Sequence, residues 1–171
     1  INSIASACMS KEEEADLWNR YSRYLSRVVT ELTEGEPVNQ EYMSRKIAVT
    51  KKWNGLIAID DFGAGYNSET VLLDMAPDII KVDMSLVQRI HEDPNRQLIL
   101  NNILDFAGQN HITVLAEGVE TKEELEFLIQ CGVELFQGYY IGRPQMEIRP
   151  IDPYIVRKMQ DFAQKSDFSQ K

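Results

Sequence analysis

The chain has 171 residues, of which 43% are apolar and 26% charged, and a formal net charge of −9. That is enough for one domain with a core of its own and an ordinary globular composition. The acidic balance excludes broad binding to nucleic-acid polymers, which needs a basic surface. No run approaches the roughly 18 apolar residues of a membrane span, and no basic-then-apolar leader opens the sequence.

Residues 1–4 read as the remnant of a strand. Ser10 with Glu13 three positions on is a capping-box start, and Glu12, Glu13 and Glu14 read as a solvated first turn. Leu17, Trp18, Tyr21, Tyr24, Leu25 and Val28 then recur at helical spacing, with Trp18 expected to pack. Short apolar or β-rich runs at 28–31 and 56–60 predict strands, and 78–82 predicts another. Residues 95–108 predict a helix and 112–116 a strand. Thr121 with Glu124 is a second capping box, ahead of Leu125, Leu128 and Ile129. A strand at 134–138 and a helix at 150–164 follow. The polar end, 164–171, is expected to fray, which leaves 1–163 as the domain.

Strands alternating with helices predict a parallel sheet covered by helices. An open doubly wound sheet and a closed (β/α)8 barrel both satisfy that pattern. Nearly every predicted strand ends on a polar residue: Glu31, Asp60, Lys81 with Asp83, Glu117 and Gln137. An open sheet concentrates its site at one switch point, whereas a barrel collects chemistry at the carboxyl ends of many strands. Polar ends on so many strands favour the barrel mouth.

Adjacent Asp60 and Asp61 repel each other, and desolvation raises the cost of ionising both, so the pair points to a cation. Glu31, Asp60, Asp61, Asp83 and Glu117 form an acidic ring in a barrel, with Lys81 as its cation. Such oxygen ligands suit Mg²⁺ or Mn²⁺. Two ions about 3.5–4 Å apart can serve an in-line phosphoryl displacement. Gly63 and Gly65 permit unusual backbone angles after the pair. Simpler roles are open to several neighbours. Asp83 before Ser85 can cap a turn, and Glu120 can serve the dipole of the following helix. His91 and His111 read as surface residues, Tyr139 and Tyr140 as wall packing, and Trp53 as helix packing. Cys8 and Cys131 have no metal-ligand spacing and predict a reduced, cytosolic setting.

These residues also carry a resemblance. The run DDFGAGYNS at 60–68 resembles the DDFGTGYSS loop of EAL domains, the cyclic-di-GMP phosphodiesterases of bacteria. KVD at 81–83 resembles their K-x-D strand end, and AEGVET at 116–121 is identical to their motif. QGYYIGRP at 137–144 resembles their QGYYFSRP, and ELTE at 31–34 their E-I-T-E strand. The resemblance implies a TIM-like barrel and a two-metal Mg²⁺ or Mn²⁺ site that opens cyclic-di-GMP to linear pGpG. It implies that Asn2, Glu31, Asp60 and Asp61 hold metal, Asp60 between two ions. It assigns Lys81 to the attacking water and Glu117 as the catalytic carboxylate. Asp83 and Gln137 join the metal and water network. Glu34 braces the loop containing Gly63 and Gly65, and Pro144 contacts substrate.

The family's E-x-L motif is absent, so the chain resembles about the last two-thirds of such a barrel, truncated at its N-terminus. Ala64 and Glu69 depart from the family's residues in a loop tied to dimer contacts. Without the upstream Glu and about two strands of the barrel, the fragment is expected to self-associate, as a homodimer or through an open sheet edge, and to turn over weakly or not at all. A cyclase or sensor domain fused upstream fits the family, and no membrane contact is expected of this segment. A non-catalytic cyclic-di-GMP receptor or scaffold is the main alternative. A phosphoacceptor receiver domain also carries an acidic pair and a lysine, but would leave Glu117 and Gln137 without a role.

Overall fold

The computed structural model describes residues 2–3, 8–33, 40–64, 72–73, 75–147 and 149–168, with backbone alone at 2–3, 33, 40 and 162–168. Glu34, Gly65 and the second half of the 60–68 run lie outside the described residues. The chain divides into two compact units, Ile1–Lys81 and Val82–Lys171.

The first unit holds β1 (Asn2–Ser3), α1 (Lys11–Leu25), β2 (Val29–Thr33), α2 (Gln40–Lys52), β3 (Leu56–Phe62) and all but the last residue of β4 (Ile79–Val82). Its strands lie in the order β1-β2-β3-β4. The β1–β2 and β2–β3 pairs are parallel, as helical crossovers require. Ile57, Ala58 and Ile59 are fully buried. A continuous apolar run is what a parallel strand covered on both faces needs. Asp78 fastens the next crossover, its carboxylate accepting the Ile57 N–H at 2.8 Å.

The capping box at the start of α1 forms as expected. Ser10 Oγ accepts the Glu13 N–H at 3.2 Å, and Glu13 Oε2 accepts the Ser10 N–H at 2.7 Å. The core-facing stripe on α1 does not form as its spacing predicted. Leu25 is the buried residue of this helix, while Trp18, Tyr21 and Tyr24 are exposed. The Arg23 guanidinium lies 4.6 Å from the Tyr24 ring centroid, so a cation covers that ring in place of a core. Glu14 is not merely solvated either, because it pairs with Arg45 of α2 at 2.6 Å. Helix α2 itself was not anticipated. Its described residues bury only Met43 and Thr50, too few to make a clear apolar stripe. Thr50 Oγ1 lies 3.0 Å from Thr30 Oγ1, which ties α2 to β2 one residue before Glu31.

The second unit runs through α3 (Met84–Val87), a 3-10 turn (Ile90–Glu92), α4 (Pro94–Asn110), β5 (Thr113–Ala116), α5 (Lys122–Cys131), β6 (Leu135–Phe136) and α6 (Pro153–Phe168). Asp93 caps α4 and Pro94 fills its first turn, where its missing N–H costs nothing. His111 ends that helix in the left-handed conformation, a structural duty. Strands β5 and β6 pair in parallel. Tyr154 Oη donates to Glu126 at 2.6 Å and Lys158 pairs with the same carboxylate at 2.8 Å, fastening α6 to α5. Both cysteines are free thiols, and burial pushes the Cys131 thiol up. No helix among the described residues is long and apolar enough to cross a membrane.

Candidate active site

The register of the first unit sets the candidate side chains beside one another. Asn2 is the Cα partner of Glu31, Glu31 of Ala58, and Thr33 of Asp60. Alternation along a strand places Glu31 and Asp60 on one face, and Leu32, Ile57 and Ile59 on the other. The second group is almost wholly buried. Ala58, opposite Glu31, is small enough to leave room between the two carboxylates.

In a regular strand Asp60 and Asp61 would point to opposite faces. Asp61 instead takes a left-handed backbone, φ 55°, a conformation that Asp tolerates better than most residues. The carboxylate oxygens of the pair then come within 4.8 Å of each other. Gly63 follows at φ 102°, which a side chain would resist.

Lys81, near the end of β4, brings its ammonium among these acids. Its Nζ lies 2.5 Å from Asp60 Oδ1 and 3.6 Å from Glu31 Oε2. Side-chain exposure is 9% for Lys81, 16% for Asp60 and 25% for Glu31. A charge so poorly hydrated needs partners of opposite sign. Three carboxylates against one ammonium leave negative charge in excess. Lys81 thus already makes the contact that a cation makes with oxygen ligands, and the all-oxygen donor set fits a hard divalent ion.

The second unit presents its own candidates. Asp83 precedes α3 and accepts the Ser85 N–H at 2.9 Å, so one oxygen serves as a helix cap. Glu117 follows β5 directly and is half-buried, its N–H donating to the Val82 carbonyl at 3.0 Å. Gln137 follows β6. Its N–H donates to the Ala116 carbonyl at 2.9 Å, its carbonyl accepts the Val119 N–H at 3.0 Å, and its side chain is exposed. Pro144 is exposed. Tyr139 is exposed rather than packed in a wall, with the Arg143 guanidinium 4.2 Å from its ring centroid.

Sequence reasoning passed over Glu124. The capping box identified it only as a helix start, whereas it is a buried carboxylate holding three backbone N–H groups. One of those donors is 35 positions away, so no local pattern could reveal it.

A model of the EAL domain family matches residues 6–144. The chain is 38% identical over 148 residues to the Escherichia coli protein named "Probable cyclic di-GMP phosphodiesterase PdeG", covering 84% of this chain and 29% of that one. It is 34% identical over 135 residues to the E. coli cyclic di-GMP phosphodiesterase PdeL, covering 78% of this chain and 37% of the relative. It therefore spans well under half the length of either. Among solved structures, a standalone EAL protein from Vibrio cholerae in its c-di-GMP-bound form superposes with a TM-score of 0.81 at 34% identity, covering 91% of this chain and 68% of that chain. Klebsiella pneumoniae BlrP1 in a manganese and cyclic-diGMP complex gives 0.72 at 34% identity, over 79% and 36%. The parallel α/β, TIM-like barrel class expected from the sequence is the fold class of these neighbours. By family match, sequence identity and fold, this chain belongs to the EAL domain family.

Proposed function

We propose that the protein carrying this chain is a metal-dependent phosphodiesterase that adds water across one phosphodiester bond of cyclic-di-GMP, giving linear pGpG. The observation that carries this reading is the Lys81 ammonium held by Glu31 and Asp60, with the Asp61 carboxylate beside that of Asp60. It stands on the strand ends whose motifs match the family. A solved relative, Klebsiella pneumoniae BlrP1, holds cyclic-diGMP in complexes with calcium or manganese.

Asn2, Glu31, Asp60 and Asp61 are the residues that would hold Mg²⁺ or Mn²⁺. Such ions, when bound, acidify water and neutralise the charge that develops on the phosphoryl oxygens. The chain's own groups do the rest. Lys81 donates N–H bonds to the attacking water, and its positive charge offsets part of the negative charge of Glu31 and Asp60. Glu117 accepts the proton that the water gives up, as a general base. The bond from phosphorus to the leaving sugar oxygen breaks as the bond to water oxygen forms; the sugar oxygen takes a proton from solvent, and Glu117 releases to solvent the one it accepted, so one water is added across the bond. Asp83 and Gln137 extend the hydrogen-bond network around the water. Glu34 and the glycines of the 60–68 run set the loop, and Pro144 borders the substrate. Two free thiols suit a reducing compartment, which supports a cytoplasmic setting for this chemistry.

The test is hydrolysis of cyclic-di-GMP by the full-length protein with Mn²⁺ or Mg²⁺, followed by chromatography of the linear product. Asp60→Asn is expected to cut turnover by about 100-fold or more, the scale of removing a charged group from a preorganised site. Undiminished turnover in that variant would sink the assignment. Tight binding without turnover by the wild type would favour a receptor instead.

A further inference from the structure

We infer that Glu124 is a positioning residue for the proposed reaction: its buried carboxylate fixes the loop that carries Glu117 by tying it to the turn after α3. This rests on the phosphodiesterase reading above.

Glu124 is 2% exposed. Its Oε2 accepts the N–H groups of Glu120 at 2.9 Å and Thr121 at 3.0 Å. A capping box requires only a contact of that kind. The other oxygen does something a cap does not need. Oε1 accepts the Arg89 N–H at 2.8 Å, across a separation of 35 residues. Arg89 itself sits in the left-handed region at φ 56° and directs its N–H at that oxygen. Three N–H donors on one carboxylate offset much of the cost of burying it. Burial pushes its carboxyl up, but the backbone donors at Arg89, Glu120 and Thr121 prevail and hold it below the usual carboxylate range.

The loop between Ala116 and Thr121 is tied at each end and in the middle. Glu117 N–H donates to Val82 and Val119 N–H to Gln137, while the Val119 carbonyl accepts Tyr140 N–H. Gly118, at φ +67°, lies so close over Met84 that an added Cβ would stand 2.4 Å from the Met84 Cβ. Of these ties, the one made by a side-chain carboxylate is that of Glu124. It is therefore the one a substitution can remove while leaving the backbone sequence of the loop intact. Its effect on Glu117 passes through Glu120 and Thr121, without contact to the reacting atoms.

The test uses the full-length protein with Mn²⁺, comparing Glu124→Ala and Glu124→Gln by steady-state kinetics and amide hydrogen exchange. Glu124→Ala is expected to lower kcat by about 10- to 100-fold with KM changed less than about threefold, since a displaced catalytic group costs turnover rather than affinity. Glu124→Gln keeps one acceptor oxygen and is expected to recover part of the loss. The amides of Arg89, Glu120 and Thr121 are expected to exchange faster in both variants. Wild-type kcat in folded Glu124→Ala, or a loss expressed mainly in KM, overturns the proposal. If the alanine variant does not fold, the glutamine variant decides. Faster exchange at Arg89 with lower kcat supports the tie, and wild-type kcat despite faster exchange refutes it. A wild type that binds cyclic-di-GMP but never hydrolyses it refutes the activity reading separately, while exchange at these three amides still shows whether Glu124 holds the loop.

Discussion

Asp60 and Asp61 were legible as a pair in the sequence, but how two consecutive strand residues cooperate was not. The answer is one backbone angle, φ 55° at Asp61, and a one-dimensional pattern with a period of two carries no sign of it. Lys81 was legible as the cation of the ring, and its 2.5 Å contact with Asp60 fits that role. Asp83 turned out to share its carboxylate with a helix cap, the simpler role open to it before Ser85. The glycines give a residue-scale prediction with an internal ranking. Gly142→Ala meets nothing within 4 Å and is expected to be nearly neutral. Gly132→Ala also meets nothing, but its φ of +94° should make it cost about 1 kcal/mol. Gly118→Ala combines φ +67° with a 2.4 Å approach to Met84 Cβ, and should cost about 2–4 kcal/mol. Gly138→Ala would bring a Cβ within 2.1 Å of the Val119 carbonyl oxygen. It should be at least as damaging as Gly118→Ala, because backbone cannot step aside as a side chain can. Urea midpoints at constant slope measure the series. Equal midpoints for Gly118→Ala and Gly142→Ala would show that the loop near Glu117 is not held as tightly as the geometry states.

At the scale of elements, both capping boxes could be read directly, because their chemistry is local: a hydroxyl, three residues, a carboxylate. Helix α2 could not, since its anchoring depends on distant partners, Arg45 on Glu14 and Thr50 on Thr30. The aromatic stripe of α1 misled for the complementary reason. Spacing says which residues share a face, and nothing about whether that face is covered. The two boxes should respond alike to loss of the capping hydroxyl. Ser10→Ala removes an exposed cap and should cost about 1 kcal/mol. Thr121→Ala removes the same bond but leaves Glu124 on its three N–H groups, so the cost should be of similar size, about 1 kcal/mol. Glu124→Gln should act through pH instead. The folded-state pKa of Glu124 lies below its ordinary value. Its contribution to stability is therefore present above the unfolded pKa, about 4.3, and is lost as pH falls through the lower folded value. Stability curves from pH 7 down to 2 should show a shallower acid limb in Glu124→Gln than in wild type. Parallel limbs would mean the carboxylate is not held as an anion.

For the whole chain, the alternation of strand and helix was enough to identify a parallel α/β sheet, because parallel pairing demands crossovers and crossovers leave a long-period signature, while the choice of a barrel over an open sheet came from the polar strand ends and the family motifs. The division into two compact units was not legible, since no glycine- or proline-rich break marks Lys81 and Val82. A bound ion is the whole-molecule test that needs no catalysis. The chain carries a net charge of −9, and Glu31 and Asp60 face the buried Lys81 ammonium with Asp61 beside Asp60. An ion that binds the folded chain alone stabilises it by about 2.7 kcal/mol at a hundredfold excess over its dissociation constant. For a chain of this length each kcal/mol moves Tm by about 2–4 °C, so saturating Mn²⁺ should raise Tm by roughly 5–10 °C over EDTA. Screening of the general negative charge would also raise Tm, and Na⁺ at matched ionic strength separates the two effects. Asp60→Asn should lose most of the Mn²⁺ shift. It should also start from a lower Tm, because Lys81 is then buried against a neutral amide and the more distant Glu31. An Asp60→Asn chain that kept the full Mn²⁺ shift, or a wild type indifferent to Mn²⁺, would place the ion-binding chemistry somewhere other than this cluster.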